Sequence, residues 1–246
     1  MTNTTRNRLL GAVAAAALAF GAVGAEAAPT TALYLAMDGS GSISGADFTT
    51  QIGGYVSALN SFYAANPGAF GQVAIGGNIF GANVSQFAAL TTINNAGDLA
   101  ALTAAISALD PGRGGINTGA TAIGDAVNVA TAALVAFEAS QGVNLKLVID
   151  VTTDGQNNAG ANPVTASNAA TAAGVDAVNC LGIGGGASCA FIGANGTDFG
   201  TVTFATLAAA LTNKITLETQ VPEPMSLALF GMGLAGLGLI RRRLAA

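Results

Sequence analysis

The stretch Leu33-Tyr34-Leu35-Ala36-Met37-Asp38-Gly39-Ser40-Gly41-Ser42 decides the fold of this 246-residue chain. Its apolar first half is typical of a buried parallel strand, and a glycine-rich loop with one carboxylate and two hydroxyls follows directly. Asp, Ser and Gly are also common turn and cap residues, so the loop taken alone has a purely structural interpretation. Two later segments weigh against that interpretation, because they place similar polar groups beside other predicted elements: Asn117-Thr118-Gly119 and Thr152-Thr153-Asp154-Gly155.

Apolar runs alternate with helical patterns along the chain. We predict strands over residues 32–37, 72–80, 84–90, 145–151 and 175–183, and helices over residues 44–65, 96–109, 118–140, 163–173 and 204–217. The second and third strands should form a hairpin around Gly81-Ala82-Asn83. The glycine-rich stretch 182–200 is an elaboration of open role. Strands separated by helices predict one doubly wound α/β domain, with a mostly parallel sheet flanked by helices on both faces.

Polar groups gather at one predicted edge of this sheet. In a doubly wound sheet, ligands bind at the carboxyl ends of the strands, near the point where the strand order reverses. Asp38, Ser40 and Ser42 follow the first strand, Asp154 follows a later one, and Thr118 lies in a segment that should reach the same edge. Hydroxyl and carboxylate oxygens are hard ligands, which Mg²⁺ or Mn²⁺ prefers.

The order Asp-x-Ser-x-Ser, then Thr, then Thr-Asp-Gly resembles the metal-ion-dependent adhesion site (MIDAS) of the von Willebrand factor A (vWA) family. The resemblance covers residues 31–217 and implies the Rossmann-like vWA fold. It implies that Ser40, Ser42 and Thr118 contact a divalent cation directly, while Asp38 and Asp154 reach the ion mostly through water. Neutral hydroxyl ligands leave the ion most of its charge. It would therefore accept a carboxylate from a protein or from an acidic polysaccharide.

Residues 1–27 have the pattern of an export signal. Arg6 and Arg8 give a positive start, the apolar residues 9–23 follow, and Ala25-Glu26-Ala27 has the form of a cleavage site. A retained membrane anchor is the alternative. We expect cleavage after Ala27 and a mature domain over residues 28–220.

Residues 221–246 have three parts in a fixed order. Val221-Pro222-Glu223-Pro224 precedes the apolar residues 225–240, and Arg241-Arg242-Arg243 ends the segment. The apolar part is slightly shorter than the ~20 residues of a usual spanning helix. The order resembles the PEP-CTERM sorting signal of Gram-negative bacteria. This resemblance implies transient anchoring on the periplasmic side of the inner membrane. An exosortase-type peptidase would then remove the tail and release the protein to the cell surface or exopolysaccharide. An ordinary single-helix anchor is the alternative.

The charge of the domain excludes one class of partner. Outside the two signals, three basic side chains stand against eleven acidic ones, which gives a net charge of −8. Such a body repels phosphate backbones, so nucleic acid is excluded as a partner. Arg113 is the basic residue nearest the site in sequence; it either pairs with an acidic ligand or is a solvated loop charge. Cys180 and Cys189 are expected to form a disulfide in an exported protein.

Enzymatic functions find little support in the sequence. The phosphate-binding loop pattern needs a Lys that does not follow Gly41-Ser42, and a Ser-His-Asp triad is impossible without histidine. Asp38 and Asp154 remain a candidate carboxylate pair for a glycoside hydrolase acting on exopolysaccharide. A passive surface protein, in which the metal only stabilises the fold, is the other alternative. The favoured interpretation is a non-enzymatic, exported, metal-dependent binding module.

Overall fold

The computed structural model describes residues 28–219. The predicted signal peptide and sorting tail lie outside the described residues. Six strands and five helices follow one another in this range: β1 Thr31–Asp38, α1 Gly45–Ala65, β2 Val73–Phe80, β3 Val84–Thr92, α2 Ala96–Ser107, α3 Ile123–Gln141, β4 Lys146–Thr153, α4 Pro163–Ala172, β5 Ala177–Ile183, β6 Asp198–Val202 and α5 Leu207–Glu218.

The strands form one sheet in the order β3-β2-β1-β4-β5-β6. All neighbouring pairs are parallel except β2 and β3, which form the predicted antiparallel hairpin. The chain leaves β1 toward β2 on one side and later returns to β4 on the other side. The strand order therefore reverses beside β1, and the pairing of Met37 with Thr152 brings the ends of β1 and β4 level.

The sheet is the middle layer of three. Leu33, Leu35 and Met37 of β1 point into the core under α1, α2 and α5. The alternate residues Tyr34 and Ala36 point into the core under α3 and α4. A strand that is buried on both faces must be apolar throughout, which explains the continuous apolar run in β1. These observations confirm the prediction of a doubly wound α/β domain.

Two element predictions differ from the structure. The predicted helix at residues 118–140 begins only at Ile123, so that Thr118 lies in a loop. Strand β6 was not predicted. It is a short edge strand whose residues are half-buried or exposed, so its sequence lacks the hydrophobic pattern of a core strand. Part of the glycine-rich stretch 182–200 thus extends the sheet by one strand.

The predicted disulfide between Cys180 and Cys189 is confirmed. Cys180 lies fully buried in β5, and the Cα atoms of the two residues are 5.6 Å apart. This is an ordinary separation for a disulfide. The bridge ties the glycine-rich segment after β5 back onto the sheet.

One helix within residues 28–219 is long and apolar enough to cross a membrane by length and composition. It is α3, with 19 residues and a mean hydropathy of 1.2. Ala126, Val127, Ala130 and Leu134 of this helix are fully buried against the sheet. Helix α3 is therefore a core helix of the domain.

Candidate metal centre

Asp38 ends β1 and is fully buried at the carboxyl edge of the sheet. Its Oδ1 accepts a hydrogen bond from the amide of Ser40 at 2.8 Å, and its Oδ2 accepts one from Thr153 Oγ1 at 2.6 Å. Burial raises the pKa of the Asp38 carboxyl, although the hydrogen bonds from Ser40 and Thr153 lower it, and the nearby Asp154 charge adds to the rise. Asp38 therefore holds the loop and the end of β4 together from behind the site.

Three of the predicted site residues form a chain of hydrogen bonds at this edge. Ser40 Oγ lies 2.9 Å from Ser42 Oγ, and Ser42 Oγ donates to Asp154 Oδ1 at 2.7 Å. Ser40 is buried, Ser42 is exposed and Asp154 is half-buried. The loops after β1 and β4 thus place hydroxyl and carboxylate oxygens side by side at the surface.

Thr118 reaches the same place from the loop before α3. Its carbonyl oxygen accepts a hydrogen bond of 2.8 Å from the amide of Gly41. A Cβ atom at Gly41 would stand 3.0 Å from that oxygen, so glycine permits the close approach. Asn117 Oδ1 accepts from the amide of Gly119 at 2.9 Å and shapes the turn around Thr118. The exposed Thr118 side chain therefore lies next to the serine loop.

The loop after β4 is fixed by two asparagines that the sequence interpretation missed. Asn158 Oδ1 accepts from the amide of Thr121 at 2.8 Å, and Asn157 Oδ1 accepts from the amide of Gly124 at 3.2 Å. These bonds tie the segment after Asp154 to the start of α3. The pair Asn157-Asn158, which soon follows Thr-Asp-Gly, was the available sequence signal.

Arg113 has a role that the sequence did not indicate. Its Nη1 donates to the carbonyl oxygens of Gly39 at 2.9 Å and Ser40 at 2.5 Å, and its Nη2 donates to that of Ile43 at 2.6 Å. The guanidinium carbon also lies 4.6 Å from the centre of the Phe48 ring. The prediction of a solvated loop charge is therefore wrong. An ion pair between Nη1 or Nη2 and a ligand would compete with these bonds.

An open cleft of about 350 Å³ lies over the site. Its lining is uncharged and polar or small: Ser40, Gly41, Ser42, Thr118, Gly119, Ala120, Thr121 and Asn158. Asp38 and Asp154 stand behind or beside this lining. The two carboxylates have no basic side chain hydrogen-bonded to them among residues 28–219. Within this part of the chain, neither carboxylate therefore has an ion-pair partner.

The donor set fits a small divalent cation. Two neighbouring ligands in an octahedral Mg²⁺ site, each about 2.1 Å from the ion, lie about 3.0 Å apart. The 2.9 Å between Ser40 Oγ and Ser42 Oγ matches this spacing. A cation would also supply the positive charge that Asp38 and Asp154 lack. Asp38, Ser40, Ser42, Thr118 and Asp154 meet at one edge, and their assignment as metal-binding residues stays a prediction.

The hydrolase alternative meets an obstacle in the position of Asp38. A glycosidase needs two carboxyl groups that flank the scissile bond and contact the sugar. Asp38 has no exposed surface, and both its carboxylate oxygens accept hydrogen bonds from the protein. Its carboxylate is therefore a structural support and does not face the cleft.

Comparison with protein families gives two matches. A family described as "Protein of unknown function (DUF1194)" matches residues 28–196, which is more than half of the chain. The PEP-CTERM protein-sorting motif matches residues 220–243 and confirms the predicted motif at that place. No curated protein matches the chain.

Several solved structures share the fold. Proximal thread matrix protein 1 from the mussel byssus, with a zinc-occupied MIDAS motif, superposes with a TM-score of 0.61 at 21% identity and covers 78% of this chain and 48% of its own. A von Willebrand factor type A protein from Catenulispora acidiphila superposes with a TM-score of 0.57 at 14% identity, and the match covers 78% of this chain and 43% of that protein. The pilus adhesin SpaC from Lactobacillus rhamnosus GG superposes with a TM-score of 0.56 at 14% identity, and the match covers 78% of this chain and 30% of SpaC. The chain spans less than half the length of each. At these identities the likeness shows a vWA-type fold.

Proposed function

The chain belongs to the DUF1194 family, and we propose that its vWA-type domain is an exported binding module that captures an acidic group through a divalent cation. The acidic group belongs to a protein or to a polysaccharide at the cell surface or in the exopolysaccharide. The cation is Mg²⁺ or Mn²⁺. The module binds its ligand without catalysing a reaction.

One observation carries this proposal. Ser42 Oγ lies within hydrogen-bond distance of both Ser40 Oγ and Asp154 Oδ1, at 2.9 and 2.7 Å. Oxygen atoms from two distant parts of the chain are thus gathered at a spacing that suits Mg²⁺. The loop of Thr118 adjoins them through the amide of Gly41. The mussel protein with the same fold and a zinc-occupied MIDAS motif supports a divalent metal here.

Each residue has a distinct part in the proposed site. Ser40, Ser42 and Thr118 hold the cation with neutral hydroxyls, and Asp38 and Asp154 orient those hydroxyls and the surrounding water. When bound, the cation supplies a Lewis-acid centre for an incoming carboxylate. Arg113 keeps the serine loop in shape through its three carbonyl contacts.

The sorting motif supports the proposed location. The match at residues 220–243 points to export, membrane-associated processing by an exosortase-type peptidase, and passage to the surface. Mass spectrometry of the protein recovered from the cell surface and medium tests this route. Cleavage near Pro222-Glu223-Pro224 is expected. Recovery of intact residues 221–246 on the mature protein would favour a permanent anchor.

A melting experiment tests the metal site. Mg²⁺ or Mn²⁺ should raise the melting temperature of the purified protein above its value in EDTA, because a ligand that binds only the folded state stabilises it. The Ser40→Ala variant should lose this shift. Ser57→Ala, a change of the same chemistry on the exposed face of α1, should keep it. Equal shifts in all three proteins would overturn the proposed site.

A capture experiment then tests the ligand. Immobilised protein should retain acidic polysaccharide or protein from the envelope and matrix of the producing cell in Mg²⁺, and release it in EDTA. Ser40→Ala should capture little, and Ser57→Ala should capture normally. A melting shift without any metal-dependent capture would favour the passive structural role. Sugar release that survives EDTA and is lost in Asp38→Asn would favour the hydrolase.

A further inference from the structure

A buried cluster of charged side chains joins α5 to the sheet. Lys214 Nζ of α5 is in direct contact with Asp150 Oδ1 of β4, and neither side chain has any exposed surface. Lys214 Nζ also lies 2.8 Å from Glu218 Oε1, one helical turn further along α5, and the Glu218 side chain is 1% exposed. One amino group therefore contacts two carboxyl groups inside the domain. The function proposed for the metal edge uses none of the three.

The surroundings of this cluster exclude water. Thr152, the next residue of β4 on the same face as Asp150, is hydrogen-bonded to Tyr55 of α1, and both are fully buried. The centre of the Phe199 ring lies 5.1 Å from Lys214 Nζ on the side of β6. The amino group and the carboxyl group therefore meet in the interior, between two helices and the sheet.

An ordinary buried salt bridge is the simplest interpretation of the contact, and two features count against it. The cluster has two carboxyl groups for one amino group. In addition, Asp150 Oδ2 is buried and has no hydrogen-bond partner among residues 28–219, although buried polar atoms are normally hydrogen-bonded. Buried charges are costly unless hydrogen bonds satisfy them well. A reaction that removes both charges and one oxygen of Asp150 would relieve this cost.

Condensation of the two groups to an amide is such a reaction. In water, the hydration of the ammonium and carboxylate groups and the excess of water oppose it, and burial removes both obstacles. Contact between well-oriented groups corresponds to an effective concentration of ~10⁵–10⁸ M. The product is neutral, so the interior no longer contains a charged pair.

We propose that Lys214 and Asp150 form an intramolecular isopeptide bond between Nζ and Cγ, with Glu218 as the catalytic group that carries protons. The structure describes the two residues as an ion pair, which is the state from which the bond forms. This modification does not depend on the function proposed for the metal edge.

The step balances in atoms and charge. A proton moves from Lys214 Nζ to Asp150, which leaves a neutral amine in contact with a neutral carboxyl group. The nitrogen lone pair forms a bond to Cγ, and the proton that Nζ then loses passes to Glu218 Oε1. Glu218 gives a proton to the departing hydroxyl group, which leaves as water. Glu218 ends in its initial protonation state, and no oxidant or reductant takes part.

The protonation states suit these roles. Burial raises the pKa of Glu218 to about 8, and the Asp150 charge adds to the rise, so that Glu218 has a proton to give at neutral pH. Burial lowers the pKa of Lys214, but Asp150 and Glu218 together raise it above its ordinary value. The amine is therefore freed by transfer of its proton to the carboxyl group that it attacks.

Asn179 is the alternative partner for Lys214. It is paired with Asp150 across β4 and β5, and a bond to its side chain would release ammonia in place of water. Its Nδ2 donates to Glu218 Oε1 at 2.9 Å, and its Oδ1 accepts from the amide of Thr197 at 2.8 Å. Both of its polar atoms are thus engaged, whereas Asp150 contacts Nζ directly. The geometry favours Asp150.

The bond would fasten α5 covalently to an inner strand. Helix α5 is the last helix before the sorting motif at residues 220–243, and β4 lies between β1 and β5 in the sheet. A pull on the C-terminal side of the domain would then reach β4 through a covalent bond as well as through side-chain packing.

Mass spectrometry of the purified full-length protein, reduced and denatured, tests the proposal. Trypsin cleaves after Lys and Arg, and the basic residues in the described range are Arg113, Lys146 and Lys214. An amide at Nζ abolishes the charge that trypsin recognises. The fragment that begins at Leu147 should therefore continue past Lys214, with a mass one water molecule below that of its sequence.

Two results would overturn the proposal. Cleavage after Lys214, with fragments of full mass, would show that the pair remains ionic. Loss of ammonia, with a link between Lys214 and Asn179, would show that Asp150 is not the partner. Both results are read from the wild-type protein and do not require that any variant folds.

Variants then identify the reacting groups. Asp150→Ala should abolish the loss of water and restore cleavage after Lys214. Glu218→Gln should slow the appearance of the linked chain about a hundredfold or more, because general acid–base catalysis contributes at least that factor. Asp198→Asn, a charge removal on the exposed strand β6, should form the bond like the wild type. Formation at the wild-type rate in Glu218→Gln would exclude Glu218 as the proton carrier.

Discussion

Ser42 Oγ donates a 2.7 Å hydrogen bond to Asp154 Oδ1, although 112 residues separate the two in sequence. The bond joins the loop after β1 to the loop after β4, and these two strands are neighbours in the sheet. Asp38 reinforces the same junction from below, because it accepts a hydrogen bond from Thr153 at the end of β4. The site is thus built on adjacent ends of two buried strands, where its geometry is held by the core.

The first prediction concerns Asp154. Mg²⁺ at 100 times its dissociation constant should add about 2.7 kcal/mol to the free energy of unfolding of the wild-type protein. Asp154→Asn should reduce this gain at the same Mg²⁺ concentration, because the amide is a poorer acceptor for Ser42 Oγ and carries no charge. Urea denaturation with and without Mg²⁺ measures the difference. Asp198→Asn is the control, and an equal loss in both variants would show a general effect of charge.

The second prediction concerns Arg113. Arg113→Met keeps the contact with Phe48 but removes three charge-assisted hydrogen bonds to the serine loop. We expect the free energy of unfolding to fall by roughly 2–4 kcal/mol, since hydrogen bonds to charged groups contribute more than neutral ones. Arg113→Lys should restore only part of the loss, because an ammonium lacks the planar fork. Urea denaturation measures the three proteins, and full rescue by lysine would show that charge alone matters.

The third prediction concerns pH. The pKa of Glu218 is about 8 in the folded protein and has an ordinary value of 4.5. The folded state therefore binds the proton more tightly. Protonation of Glu218 therefore stabilises the folded state. This contribution to the free energy of unfolding is complete below pH 4.5, falls by ~1.4 kcal/mol per pH unit between pH 4.5 and 8, and is lost above pH 8. Comparing the pH dependence of unfolding in wild type and Glu218→Gln isolates this contribution. Equal slopes would contradict it.

The fourth prediction compares two helical glycines. A Cβ atom at Gly124, in α3, would lie 2.2 Å from the carbonyl oxygen of Ala161, whereas one at Gly53, in α1, would meet nothing within 4 Å. Gly124→Ala should therefore destabilise the protein and displace the loop that carries Asn157. Gly53→Ala should stabilise it by about 0.5–1 kcal/mol, because alanine favours the helix. Thermal melting of both variants checks this, and similar shifts in the two would contradict it.

The fifth prediction concerns the disulfide. Reduction of Cys180–Cys189 should lower the free energy of unfolding by about 2–3 kcal/mol, as expected for a loop of this length. Reduction should also weaken Mg²⁺ binding, because the amide of Ser188 in the bridged segment donates to the carbonyl oxygen of Gly155, next to Asp154. Cys189→Ser should behave like the reduced protein and should not respond to reductant. Unchanged Mg²⁺ affinity after reduction would show that the disulfide does not affect the metal site.

The sequence predicted the sheet and the gathering of the site because both follow from simple patterns. Strands buried on both faces are mostly apolar, as β1 is over residues 32–37 and β4 over residues 147–149, and parallel strands bring their carboxyl ends to one edge. The position of Asp38 and Asp154 at that edge could therefore be predicted from the topology. Strand β6 was missed because it lies at the edge of the sheet. Its residues are half-buried or exposed, so its sequence has no continuous apolar run.

Hydrogen bonds and ion pairs between side chains far apart in sequence could not be predicted from such local patterns. Nothing local to Arg113 shows that it reaches back to carbonyl groups some 70 residues earlier. Likewise, Asp150 and Lys214 are 64 residues apart, and only the packing of α5 on β4 brings them together. The start of α3 was misplaced because an alanine-rich sequence continues the helical pattern backwards. In the structure, the amides of Gly119 and Thr121 instead donate to Asn117 Oδ1 and Asn158 Oδ1, which holds the preceding residues in a loop.

The use of Arg113 as an internal brace has an ecological consequence. Of the three basic side chains among residues 28–219, Arg113 donates to backbone carbonyl groups of its own chain, Lys146 begins β4, and Lys214 is buried in an ion pair with Asp150. Within residues 28–219, the metal edge therefore carries no free basic side chain, and under the proposed function its attraction for anions comes from the bound cation. Under the proposed function, attachment outside the cell would follow the hardness of the surrounding water, strong in mineral-rich media and weak in soft ones.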